Sequence, residues 1–120
     1  MISTRDLEKL AGLLEGEGCF STRKERPQDI TIQINMTDRD VIEWVAVHFG
    51  SHVGTMKRQR PAWHDVFFTQ IGATKAAQWM MTLYPLMLSQ RRKARMRELL
   101  IHYRSKQSKS GYIKRRLRAS

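Results

Sequence analysis

The chain has little of what holds small secreted or metal-built proteins together. It contains one cysteine, Cys19, in 120 residues, which excludes an intramolecular disulfide and a cysteine-rich zinc site and leaves the fold to its core, alone or with a partner subunit. No stretch approaches the ~18 consecutive apolar residues of a membrane helix, and the opening Met-Ile-Ser-Thr-Arg-Asp lacks the basic, apolar and small-residue regions of a secretory signal. The expectation is a protein of the cell interior. Prolines number three, at 27, 61 and 85, and each falls between apolar patterns. Acidic residues are scarce in one place. Residues 91–120 hold twelve Lys and Arg against the single Glu98, whereas residues 1–90 hold ten basic and ten acidic residues.

What is present fits one domain, because 120 residues, 41% of them hydrophobic and 28% charged, are too few for two independent cores. The net charge of +11 lies wholly in the last quarter. A neutral body with a basic end is the footprint of a polyanion binder, with nucleic acid the first candidate and an acidic membrane surface the second. The expected division is a domain over residues 1–104 and a flexible basic extension over residues 105–120, where a Ser/Lys/Gln stretch leads into Tyr112-Ile113-Lys114-Arg115-Arg116-Leu117-Arg118.

Periodicity orders the body. Ser3 or Thr4 caps a first helix with Leu7, Leu10, Ala11 and Leu14 on one face. Gly12 and Gly16 on that helix each cost roughly 1 kcal/mol relative to Ala, a cost that points to close approach by a partner helix. The period then changes to two. Cys19 to Glu25 reads as a strand with Phe20 and Thr22 inward, Arg26 to Asp29 as a turn, and Ile30 to Met36 as a strand alternating with Thr31, Gln33 and Asn35. Asp38 caps a helix over 39–49 with Val41, Trp44, Val45 and His48 as its apolar face, closed by Gly50. Two more strands, Val53 to Arg60 and Trp63 to Ile71, precede a helix over 73–84 ended by Pro85 and a last helix over about 88–103. Arg91, Arg92, Lys93, Arg95 and Arg97 crowd the start of that helix against its dipole, which calls for an external anion. His48 and His52 are four apart, but Gly50 breaks the helix that would align them as a metal pair. Met80, Met81, Met87 and Met96 read as core filling, and Trp44, Trp63 and Trp79 as core or subunit-contact residues.

The first helix ends in Leu10-Ala11-Gly12-Leu13-Leu14-Glu15-Gly16-Glu17-Gly18, followed by Cys19 and Phe20. This resembles the signature of the LAGLIDADG homing endonucleases, with Leu14 where Ile is usual and Glu15 and Glu17 in the two acidic positions. The resemblance implies an α+β fold in the order αββαββα, with a four-stranded antiparallel, saddle-shaped DNA-binding sheet and the motif helix at a twofold dimer interface through Leu10, Ala11, Gly12, Leu13 and Gly16. One motif in the chain implies a homodimer on a palindromic or near-palindromic duplex. It also implies a staggered double-strand cut with a divalent metal held by Glu17 and the Gly16 carbonyl, Mg²⁺ or Mn²⁺, since oxygen ligands suit such ions. Glu15 falls in a structural role. Asp38 matches a polar position that orders water, and Lys57 a basic position near the scissile phosphate. A second basic position falls on Gln90, with Arg91 or Arg92 as substitutes.

A β-ribbon can lie in the major groove and read base edges. The outward residues expected to touch DNA are Ser21, Arg23, Glu25, Thr31, Gln33 and Asn35 in the first hairpin and Thr55, Lys57, Gln59, Asp65 and Thr69 in the second, joined by Arg92. Arg23 suits guanine, Gln33 or Asn35 adenine, and Glu25 or Asp65 cytosine. No membrane and no small-molecule substrate is expected, and the location follows the encoding DNA, whether cytoplasm, organelle or phage-infected host. Relatives that bind DNA or RNA without cutting, such as intron maturases and transcription regulators, form the alternative. A basic architectural or membrane-surface protein is a third reading, and it predicts binding indifferent to sequence. Deleting residues 105–120 removes six basic residues and no acid; DNA affinity measured against salt should then show a shallower slope with its sequence preference intact.

Overall fold

The computed structural model describes residues 2–23, 26–57 and 64–103. Helix α1 (Thr4–Glu17) leads directly into strands β1 (Gly18–Arg23) and β2 (Arg26–Met36). Helix α2 (Arg39–Phe49), strands β3 (Gly54–Met56) and β4 (Val66–Gly72) and helix α3 (Ala73–Leu83) follow, then a 3-10 turn (Tyr84–Leu86) and helix α4, residues 90–103. The four strands form one antiparallel sheet in the order β1-β2-β4-β3. This is the α+β order expected from the periodicity.

The strand alternation builds the core. Ile30, Ile32 and Ile34 of β2 are wholly buried, and register sets Ile32 between Phe20 of β1 and Ile71 of β4. Helices cover that face with Leu10, Ala11 and Leu14 from α1, Ile42, Val45 and Phe49 from α2, Ala76, Ala77, Met80 and Leu83 from α3, and Met96 and Leu99 from α4. Each large aliphatic side chain so buried contributes about 1.5–3 kcal/mol. The helices lie in one layer, and the opposite face of the sheet carries Cys19, Ser21, Thr31, Gln33, Asn35, Phe68 and Gln70. No described helix is long and apolar enough to cross a membrane.

Several local expectations are corrected. Arg26 to Asp29 is not the hairpin turn, since β2 begins at Arg26. Arg23 pairs with Arg26 while Thr22 pairs with Ile30, so the register shifts there. Three residues including Pro27 bulge from the ladder, which accommodates a residue with no N–H to donate. In α2 the buried face is Ile42, Val45, Ala46 and Phe49, with Val41, Trp44 and His48 only half-buried; Ile42 and Phe49 are larger apolar anchors one position along from Val41 and His48. Asp38 occupies the N-cap position of α2 without a side-chain cap bond, and the Asp40 carboxylate instead accepts from the Val41 amide at 3.0 Å. Met81 is 48% exposed rather than core. Strand β3 is described over Gly54–Met56, and residues 58–60 of its pattern, like Trp63, lie outside the described residues.

At α1 the Ser3 hydroxyl accepts from the Asp6 amide at 3.1 Å, so Ser3 is the cap. Gly18 ends the helix at a close approach: a Cβ there would fall 2.6 Å from the Leu14 carbonyl oxygen and 3.0 Å from its Cα. Gly12 and Gly16 differ, because a Cβ at either meets no described atom within 4 Å. Gly18→Ala should therefore lower stability by about 1–3 kcal/mol in urea unfolding, whereas Gly12→Ala should stabilise the isolated chain by up to about 1 kcal/mol.

Candidate functional site

The chemistry-bearing residues gather where α1 enters the sheet. Glu17 is the last residue of α1 and is exposed, as is Gly16 before it. Glu15 faces elsewhere: its carboxylate accepts from the Leu88 amide, at 2.8 Å on the nearer oxygen, and from the Ser89 amide at 3.0 Å. These are the unpaired amides at the start of α4, so an acid from α1 caps another helix and complements its dipole. The Ser89 hydroxyl adds a bond from the Arg92 amide at 3.3 Å. In return the Arg92 guanidinium donates to the Gly18 carbonyl oxygen at 2.7 Å, and Arg95 Nε to that of Phe20 at 3.4 Å. The free edge of β1 thus lies against α4, around a groove of about 530 Å³ lined by Gly18, Cys19, Phe20, Arg91, Arg92 and Arg95.

The basic start of α4 is largely satisfied from within, which corrects the expectation that all five residues await an external anion. Arg92 and Arg95 hold β1 carbonyls, Arg95 also meets Glu98 at 3.4 Å, Lys93 lies 4.9 Å from the Tyr84 ring centroid and Arg97 donates to the Tyr84 hydroxyl. Arg91 lines the groove exposed, with no partner among the described residues. Of the residues near the expected basic position, Arg92 is engaged with backbone and Gln90 and Arg91 are exposed.

Topology brings other predicted positions to the same end of the sheet. Gly18 pairs with Ile34, Met36 with Phe67, and Phe67 with Thr55, so Glu17, Asp38, Lys57 and Asp65 all adjoin one end of the strands. Asp38 and Lys57 are exposed there. Lys57 follows the far edge strand, three strand spacings or roughly 14 Å from β1. Asp65 precedes β4 and is exposed.

The outward face is only partly the one expected. Ser21, Thr31, Gln33 and Asn35 lie on it as the alternation requires, with Ser21 and Thr31 hydroxyls bonded at 2.9 Å. The second hairpin is opposite in phase. Thr69 pairs with Ile34 on the helix-covered face and is wholly buried, its hydroxyl 2.5 Å from that of Ser51 and donating to the His52 carbonyl at 2.9 Å. Thr55, opposite Phe67, shares that inward phase, and Lys57 and Asp65 lie beyond the strand ends, exposed. Phe68 and Gln70 face outward in their place, across from Asn35 and Gln33. The signal was Ile71: counting back by two from an inward Ile71 turns 69 inward and 68 and 70 outward, but the run Val66-Phe67-Phe68 hides that phase. Glu25 and Gln59 lie outside the described residues, and the side chain of Arg23 is likewise outside them.

The expected dimer face also narrows. Leu10 and Ala11 are 0% and 3% exposed inside the chain's own core, so they are not available to a partner. Gly12 and Gly16 form the open face of α1, with Leu13 half-buried beside them.

No protein-family profile matches the chain, and no curated protein matches it. Solved structures do. The homing endonuclease I-CvuI, in complex with its target (Sro1.3) in the presence of 2 mM Ca, superimposes with a TM-score of 0.58 and 14% identity over 80% of this chain. The archaeal intron-encoded homing endonuclease I-Vdi141I, complexed with DNA, does so with a TM-score of 0.55 and 17% identity over 82%. The chain has the homing-endonuclease fold. It spans 64% of the length of each of those chains. At such identity the homing-endonuclease likeness is one of fold, carried by element order and the sheet.

Within this fold the Glu15 cap joins α1 to α4. Glu15→Ala should lower stability by roughly 1–2 kcal/mol in urea unfolding, the usual cost of losing a helix cap.

Proposed function

We propose that the chain is a site-specific DNA endonuclease acting as a homodimer on a long palindromic or near-palindromic duplex. The observation that carries this reading is the different employment of the two acids in Leu10–Gly18. Glu15 is engaged by the Leu88 and Ser89 amides, while Glu17 is exposed at the helix end with no partner among the described residues. An acid without a structural task, beside a groove lined by three arginines and the single acid Glu98, suits a phosphodiester substrate and a cation.

Among the described residues no three His, Cys, Asp or Glu side chains gather as a metal-binding group. The donors one chain offers are the Glu17 carboxylate and the Gly16 carbonyl, an oxygen set that suits Mg²⁺ or Mn²⁺ but is incomplete alone. Two copies meeting through the open Gly12 and Gly16 face bring two such sets together, one for each DNA strand. A divalent ion held there neutralises charge developing on the phosphate and makes water more acidic. Arg91, exposed in the groove beside Gly18, supplies the basic group for the same phosphate in this reading, with Arg92 holding the Gly18 carbonyl and so the backbone after Glu17. Asp38 and Lys57 adjoin the same end of the sheet, where a water and a phosphate respectively fit their chemistry. The outward strand residues lie in the major groove and read bases.

Glu17→Gln should abolish cleavage while leaving duplex binding within a fewfold of wild type, tested on DNA spanning the gene's insertion point with Mg²⁺ or Mn²⁺. Cutting that persists removes Glu17 from the mechanism, and a wild-type chain that never cuts yet binds intron RNA tightly supports a maturase. Gly12→Leu should shift sedimentation from dimer to monomer without unfolding the chain, because the added side chain meets only the partner.

A further inference from the structure

Between Thr31 and Asn35 of β2 and between Phe68 and Gln70 of β4 the outward face is uncharged. Thr31, Gln33 and Asn35 of β2 stand there, and register sets Gln70 opposite Gln33 and Phe68 opposite Asn35. The charged residues lie toward its margins, Arg26 and Asp29 in the first half of β2 and Lys57 and Asp65 beyond the ends of β3 and β4. Two amides on this face act as a unit: Gln33 Nε2 donates to Asn35 Oδ1 at 2.8 Å. That bond orients both groups and leaves Gln33 Oε1 as an acceptor beside the Asn35 Nδ2 donors and the second Gln33 Nε2 proton. Across from Asn35, the half-buried Phe68 ring lies over Gly54, where a Cβ would come within 2.4 Å of it. Glycine at 54 is what lets the ring occupy that space on the outward face.

We infer that Gln33, Asn35 and Phe68 read adenine·thymine base pairs, an inference that rests on the DNA-cleaving function proposed above. In the major groove adenine presents an N6–H donor and an N7 acceptor, the complement of Gln33 Oε1 and Asn35 Nδ2. Guanine presents acceptors at both O6 and N7 and no donor in this groove, so it would leave Gln33 Oε1 without a proton to accept. Arginine and lysine, the usual guanine readers, are missing from the outward positions between Thr31 and Asn35 of β2 and between Phe68 and Gln70 of β4; Arg26, exposed and paired with Arg23, lies beyond them at the hairpin end of β2. Phe68 supplies an apolar surface beside the amides for the thymine methyl group. The centre of this face therefore selects A·T pairs, and the charged ends of the hairpins meet guanine or phosphate.

The test is selection of duplexes from a fully randomised library by the full chain in EDTA, so that binding is read without cutting. Recovered sites should hold an A·T pair at a fixed position in each half-site, and a swap to G·C there should weaken binding about tenfold or more. In the Gln33→Ala Asn35→Ala double variant, whose circular dichroism should match wild type, discrimination at that position should fall to about twofold or less while other positions keep theirs. Phe68→Ala should relax the preference for thymine over uracil at the neighbouring position. Fixed positions that are all G·C, or an A·T preference unchanged in the double variant, overturn the inference and leave the nuclease reading standing. Binding without any sequence preference overturns both.

Discussion

The carboxylate of Glu15 on the amides of Leu88 and Ser89 joins residues 73 and 74 positions apart, and the arrangement of the site depends on it. Capping α4 with an acid from α1 places the start of that basic helix beside the end of the motif helix. Once there, Arg92 reaches the Gly18 carbonyl and Arg95 that of Phe20, so the exposed edge of β1 has donors for carbonyls that would otherwise offer a pairing template. Gly18 completes the junction, since any side chain would strike the Leu14 backbone. The result is a fixed exit from the helix, with Glu17 between the anchored Glu15 and Gly18 and itself unengaged.

From that junction the molecule divides its tasks by layer. The helix-covered face of the sheet is filled by isoleucines and phenylalanine and gives the chain its stability. The centre of the uncovered face carries hydroxyls, amides, the Cys19 thiol and the Phe68 ring, and its hydroxyls and amides cost little to leave in water and match base edges. A single sheet serves both purposes because successive strand residues point to opposite sides. The open glycines of α1 belong to a third direction, away from the core and beside the sheet end where Glu17 emerges.

Much of the fold was legible in the residues. Ile30, Ile32 and Ile34 announce a half-buried strand; Gly50, in the left-handed conformation at φ 66°, closes α2 as glycine does; Leu10 to Gly18 marks a helix end. Where the pattern was ambiguous the reading slipped by one residue. In α2 the apolar residues at 41, 42, 44, 45, 46 and 49 allow two adjacent faces, and packing chose the one holding Ile42 and Phe49. In β4 a three-residue apolar run concealed the phase, and a one-residue slip exchanges faces, so Thr69 went inward and Phe68 outward. Pro27 looked like a turn but sits in a bulge, because a register shift can absorb a residue lacking an N–H as readily as a turn can.

The sequence by itself determined the order of elements, the helix boundaries at Ser3 or Thr4 and at Gly50, the alternating strand face and the residues with chemistry to offer, since these depend on local spacing and on the conformational preferences of single residues. Its scarcity of cysteine settled that no covalent staple holds the chain. The tertiary structure alone decided that Glu15 and Arg92 clamp α1 to α4, that most of the basic residues at the start of α4 are satisfied internally, and that Leu10 and Ala11 turn inward while Gly12 and Gly16 stay open. Those outcomes depend on contacts between residues far apart in the chain, and no local pattern carries that information.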